Sequence, residues 1–143
     1  MSYTVAQLLE MSSSELDNIF KAADAGPIPN GDAKGTAIIA PDTVFSHEIA
    51  EFINVFAWQG KVFDAENMLL VNKITLFGLR AIIASIKREP SGIDGKECIV
   101  LDYSKTSMVA QWVRDEIRLI GPGMYLGQVF WENKRLIHFT LQF

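Results

Sequence analysis

Residues Glu97 to Phe143, ECIVLDYSKTSMVAQWVRDEIRLIGPGMYLGQVFWENKRLIHFTLQF, decide how this chain folds. Apolar and polar residues alternate with a period near two over Cys98–Tyr103, Tyr125–Trp131 and Leu136–Phe143, the pattern of strands with one buried face. Gly121-Pro122-Gly123 supplies turn residues between two of these runs and Glu132-Asn133-Lys134 a short polar break between the next two, so both read as hairpin connections. The segment Val109–Ile120 is open to two readings. Val109, Trp112, Val113, Ile117 and Ile120 fit one helix face, yet a hairpin across Gly121 to Gly123 needs a partner for Met124–Trp131, which favours a strand.

Working outward, 143 residues suit one domain spanning 1–143, a length that buries about two thirds of its unfolded surface unaided. The hydrophobic fraction of 49% is high, but no run approaches the roughly 18 uninterrupted apolar residues of a membrane span. The start MSYTVAQLLE lacks the basic opening and apolar core of a secretory signal, and the single Cys98 has no internal disulfide partner, so a cytoplasmic location is expected. Seventeen acidic against thirteen basic side chains leave a net charge of -4, which disfavours nucleic acid and anionic lipid surfaces as partners. Lys87-Arg88 and Lys134-Arg135 are short basic pairs beside turns and read as solvated charge.

Thr4-Val5-Ala6-Gln7 and Ser12-Ser13-Ser14-Glu15 match the capping-box spacing, so two short helices should begin there. Leu16, Ile19, Phe20 and Ala23 then repeat as one apolar stripe, and Gly26 to Gly31 ends the second helix. Lys34–Ala40 suits a first strand, with an edge position open to it because it stops at Pro41. From Ser46 an amphipathic helix carries Ile49, Phe52, Ile53 and Phe56 on one face. Trp58–Asp64, Met68–Ile74 and Leu79–Glu89 read as further strands, the last forming a hairpin with Lys96–Ser104 across the loop Pro90–Gly95. The result is an α+β, mainly β chain: an antiparallel barrel or half-barrel of about eight strands with N-terminal helices packed on it, since closure removes exposed edges.

WQGKVFD (Trp58 to Asp64), NKI (Asn72 to Ile74), DGKECIVLDYSKTS (Asp94 to Ser107) and RDEIRLIGPGMYLGQVFW (Arg114 to Trp131) resemble a group of small uncharacterised bacterial proteins. More distantly they resemble the lipocalin-like GXWXG proteins, although no GXWXG pattern is present and Gly31 to Gly35 is at best a relic of it. The resemblance implies a calycin-type barrel. It carries no established catalytic residues.

The chemistry-bearing residues are few. His47 and His138 lie far apart with no ligand spacing around either, so no metal and no cofactor is implied, and a Cys98–His138 nucleophilic pair is outweighed by inert packing. At the end of one strand Asp102 shares its face with Cys98 and Val100, whereas Tyr103 shares the other with Ile99 and Leu101, so one of the two must point inward. An inward carboxylate would need a partner, for which Arg114 or Arg118 is available; a structural ion pair or strand-end cap is the plainer reading of Asp102. Trp58, Trp112, Tyr125 and Trp131 are aromatic residues that line pockets with one polar edge as readily as they fill cores. Lys61 is read first as an exposed lysine and second as one reaching an anionic headgroup at the barrel mouth. The candidate ligand-binding set is therefore Trp58, Lys61, Asp102, Tyr103, Trp112, Arg114, Arg118, Tyr125 and Trp131.

An eight-stranded barrel is just wide enough for its own side chains or for one small ligand. The expected function is binding of a hydrophobic small molecule. The alternatives are a small cofactor-independent isomerase, cyclase or hydratase with Asp102 or Tyr103 as acid/base, and a protein interaction module. The sequence also leaves room for a homodimer.

Overall fold

In the computed structural model, residues 3–40, 58–74, 80–104 and 112–143 are described. Helix α1 (Val5–Leu9) opens at Thr4 and α2 (Ser13–Ala22) at Ser12, each through a capping box in which the hydroxyl accepts from the third helical N–H while Gln7 or Glu15 reaches back to the cap. The strands follow as β1 (Gly31–Ile38), β2 (Trp58–Asp64), β3 (Leu69–Ile74), β4 (Arg80–Pro90), β5 (Glu97–Asp102), β6 (Val113–Gly121), β7 (Met124–Trp131) and β8 (Lys134–Gln142). The amphipathic helix expected from Ser46 lies outside the described residues.

Every strand pairs antiparallel with its sequence neighbours, and β1 closes on β8 from Lys34↔Gln142 to Ile38↔His138. The barrel is thus closed and β1 is no edge. From Val113 on, the ambiguous segment before Gly121 is the strand β6, in which Val113, Asp115 and Ile117 face inward while Arg114, Glu116 and Arg118 face outward; residues 109 to 111 lie outside the described residues. Glu132 and Asn133, at φ 50° and 71°, make the β7–β8 turn, the two left-handed positions of a type I′ hairpin.

The two faces of the barrel wall bury different things. Inward, Phe63, Leu70, Ala84, Ile86, Ile99, Leu101, Val129, Ile137 and Phe139 form the main core. Outward, α1 and α2 cover the side made by β5 to β8 and β1, where Leu8, Leu16 and Phe20 pack on Cys98, Val100, Ile120 and Leu126. Burial of each such side chain contributes about 1.5–3 kcal/mol, so short helices with little intrinsic stability are held by their stripe.

One end of the barrel is stoppered. The segment after α2 crosses it, with the Leu119 N–H donating to Ala25 O at 3.3 Å, the Tyr125 hydroxyl to Pro27 O at 2.7 Å and Arg88 to Gly26 O at 2.8 Å. Gly26 has φ +76°, and a Cβ there would stand 2.6 Å from Leu119 Cβ, so only glycine passes. Phe143 adds edge contacts to Phe63 and Tyr125. At the opposite end, where β1 finishes and β2 begins, the inward-facing Ala37 and Trp131 are only partly buried.

Candidate interior site

Three polar side chains meet on the inner wall. Lys61 shares the inward parity of Phe63 on β2 and sits opposite Ala33 of β1. Asp115 lies between the inward Val113 and Ile117 of β6 and opposite Leu101 of β5, and Tyr103 follows Leu101 by two residues. All three are buried, Lys61 and Tyr103 completely. The Lys61 ammonium donates to Tyr103 Oη at 2.9 Å and lies 3.5 Å from Asp115 Oδ2, while the Tyr103 hydroxyl donates to that same oxygen at 3.2 Å. The Phe139 ring centroid is 5.8 Å from Lys61 Nζ and that of Tyr103 5.6 Å, so the ammonium also faces two π-systems.

Burial dominates the acid–base behaviour of this cluster. It pushes the Lys61 amine down, against the attraction and hydrogen bonding of Asp115. It pushes the Asp115 carboxyl up, against Lys61 and Tyr103. Desolvation penalises both charged forms, so the proton affinities of the two groups are drawn towards each other. The second carboxylate oxygen, Asp115 Oδ1, is buried with no hydrogen-bond partner, a condition that costs about 1–3 kcal/mol or more for a charged group.

The residues singled out from sequence separate into groups. Lys61 and Tyr103 are together inside; the lysine is fully buried rather than exposed, because Asp115 and Tyr103 supply the partners that interior burial requires. Tyr125 is inside too, at the stoppered end. Trp131 packs against the core at the other end, Trp58 is the first residue of β2, and Trp112 precedes β6 with 51% of its surface exposed.

Asp102, Arg114 and Arg118 project from the outer face. Asp102 pairs with Lys87 at 2.8 Å and accepts from the Ser104 N–H and hydroxyl at 2.9 and 2.6 Å; neither arginine is its partner. Partial burial opposes ionisation of Asp102, yet these bonds outweigh it and hold the carboxyl at about 2. It is a strand-end cap and ion pair. Arg114 instead bonds Glu116, at 3.2 Å from its terminal nitrogen, and Glu116 in turn accepts from Ser91 and Gln128 at 2.6 and 3.0 Å.

Arg118 is buried between the barrel and α2. It clasps Asp94 with two bonds of 2.7 Å, donates to Phe20 O at 2.9 Å and stacks 4.4 Å over the Phe20 ring. The guanidinium therefore fastens the helix and the β4–β5 loop to the wall. His138 lies on the same face, 2.8 Å from Asp17 Oδ1. Burial raises the Cys98 thiol to about 12, which removes it as a nucleophile at neutral pH. Among the described residues no group of three or more His, Cys, Asp or Glu side chains is placed to hold a metal, and no helix is long and apolar enough to cross a membrane.

Asp115 went unnoticed in the sequence, although its parity with Val113 and Ile117 was the available signal. It lies within the charged run RDEIR, Arg114 to Arg118, where two arginines and a glutamate of the opposite face mask a single inward carboxylate.

Fold and cluster together define a closed eight-stranded antiparallel barrel with a buried lysine–tyrosine–aspartate group on its inner wall. No protein-family model matches the chain, and no curated protein matches it. The structure is similar to the crystal structure of a protein from Thermomonospora curvata, with a TM-score of 0.65 and 13% identity over 96% of this chain and 94% of that one. That likeness is one of fold.

Proposed function

We propose that the barrel is lipocalin-like in use and binds a small hydrophobic molecule, whose polar head meets Lys61, Tyr103 and Asp115. The observation that carries this reading is the buried cluster itself. A buried ion pair is often no more stable than apolar residues of the same volume, and perturbed titratable groups gathered inside a cavity-forming fold mark functional sites. Here the orphaned Asp115 Oδ1 offers a bound molecule a hydrogen-bond acceptor. The partly exposed Ala37 and Trp131 mark the end from which it would enter, with Trp58 and Trp112 on the strands' ends beside it, and Tyr125 would form the floor. Asp102, Arg114 and Arg118 fall outside the proposed site because they face outward.

Displacement of an environment-sensitive apolar fluorophore by n-decanol, together with native mass spectrometry of the purified protein, tests the reading. Saturable displacement that weakens in Lys61→Met is expected. Absence of fluorophore binding and of any co-purifying small molecule would overturn it.

A second reading is favoured by the same cluster: a cofactor-independent isomerase, cyclase or hydratase in which Tyr103, hydrogen-bonded to both Lys61 and Asp115, moves a proton on an apolar substrate.

A further inference from the structure

We infer that the molecule the barrel takes is an apolar aldehyde or ketone, held by Lys61 as a reversible imine with Asp115 as its counter-ion. This rests on the binding reading above. It needs an amine, an acid and an acceptor in one dry place, and the inner wall has all three. Lys61 has no solvent exposure; the desolvation that lowers its proton affinity leaves more of the nucleophilic free amine than an exposed lysine has at neutral pH. Asp115 Oδ2 is 3.5 Å from Nζ, near enough to exchange a proton with it in the addition step.

The reaction balances with no other reagent. The amine lone pair forms the C–N bond while the carbonyl π pair takes up a proton from the Asp115 carboxyl. The amine nitrogen returns a proton to that carboxylate. The resulting carbinolamine hydroxyl takes the second nitrogen-bound hydrogen, as a proton relayed through Asp115, and leaves as water, so that R–CHO and Lys–NH2 become R–CH=N–Lys and H2O. Asp115 Oδ1, buried and unpartnered, is the acceptor that a carbinolamine hydroxyl would require. Tyr103, 3.2 Å from Oδ2, fixes the carboxyl's orientation. When the imine is protonated, its positive charge lies beside the Asp115 carboxylate, which then serves as its counter-ion.

The test is reductive trapping of the wild-type chain with n-decanal and sodium cyanoborohydride at pH 7, read by intact mass and peptide mapping. One adduct is expected, on Lys61, formed faster than on the exposed Lys34 and Lys134, since a lowered proton affinity raises the share of free amine. Excess n-decanol, which has the same alkyl chain and no carbonyl, should suppress it. Asp115→Asn should slow trapping while circular dichroism stays native. Adducts spread over surface lysines, or none on Lys61, overturn the inference. If n-decanol displaces the apolar fluorophore while Lys61 stays unmodified, the binding reading stands and the imine falls. If neither molecule enters, both fall.

Discussion

The ring of Phe139 lies directly over the backbone of Gly127, its cross-strand partner in the β7–β8 ladder, so that a Cβ at position 127 would come within 2.2 Å of it. An inward aromatic on one strand is thus seated in the gap left by glycine on the next. Gly127→Ala should force that ring towards the Lys61 cluster and destabilise the protein by about 1–3 kcal/mol, the usual cost of overpacking a core. Chemical denaturation measures the loss. Adding Phe139→Leu to Gly127→Ala should restore part of it; a double variant weaker than the sum of its singles would show that the two residues do not compete for the same space.

The ion pair between Asp94 and Arg118 sets an acid limit. Its hydrogen bonds from Arg118 hold the Asp94 carboxyl at about 2, against an ordinary 3.8. A depressed folded-state value stabilises above the unfolded one and is lost as pH falls through the folded one. Wild type should therefore lose stability between about pH 4 and 2 more steeply than Asp94→Asn, and the gap between the two should vanish below pH 2. Asp102, also held at about 2, adds to the same window through Lys87. Parallel acid titrations by circular dichroism would reveal a failure as curves offset equally at every pH.

Removing one member of the interior pair should cost more than removing both. Lys61→Met leaves the buried Asp115 without its counter-charge and with the Tyr103 hydroxyl as its remaining partner, a loss of about 3–5 kcal/mol at pH 8. Because burial already raises the Asp115 carboxyl, the stranded group should take up a proton more easily, and the deficit should shrink at pH 5. Lys61→Met with Asp115→Leu should return to wild-type stability or exceed it. Urea denaturation at both pH values decides, and a deficit independent of pH would mean that Asp115 is not desolvated.

Cys98 should be silent until the barrel opens. With its thiol raised to about 12 and buried beneath the helices, alkylation by iodoacetamide at pH 8 should follow global unfolding rather than local exposure. Modification in the native protein at the rate of a free thiol would contradict the packing of α1 and α2 on β5.

These features were legible in the sequence to different degrees. Strand alternation in the last third of the chain is plain, and it put Asp102 and Tyr103 on opposite faces with one of the two inward, without deciding which. The two helix starts were legible because a capping box is a local signal. Lys61 was not, since lysine is ordinarily solvated and only a distant partner, 54 residues on in Asp115, makes its burial tolerable. Arg118 was misleading for the opposite reason: an outward position in a barrel is normally wet, and the alternation of β6 says nothing of the helix that covers it. Pairwise electrostatics across the barrel and the docking side of α2 are tertiary facts, and no short-range pattern encodes them.

The closure of β1 onto β8 has a mechanical corollary. A ring of strands offers no free end at which unzipping can start, so any rupture must break two ladders at once or pull the whole hoop apart. Amide exchange around the circumference should therefore be shut off to a similar depth on every strand, with no graded fraying from one side, and damage at a single seam should be felt by its diametric opposite.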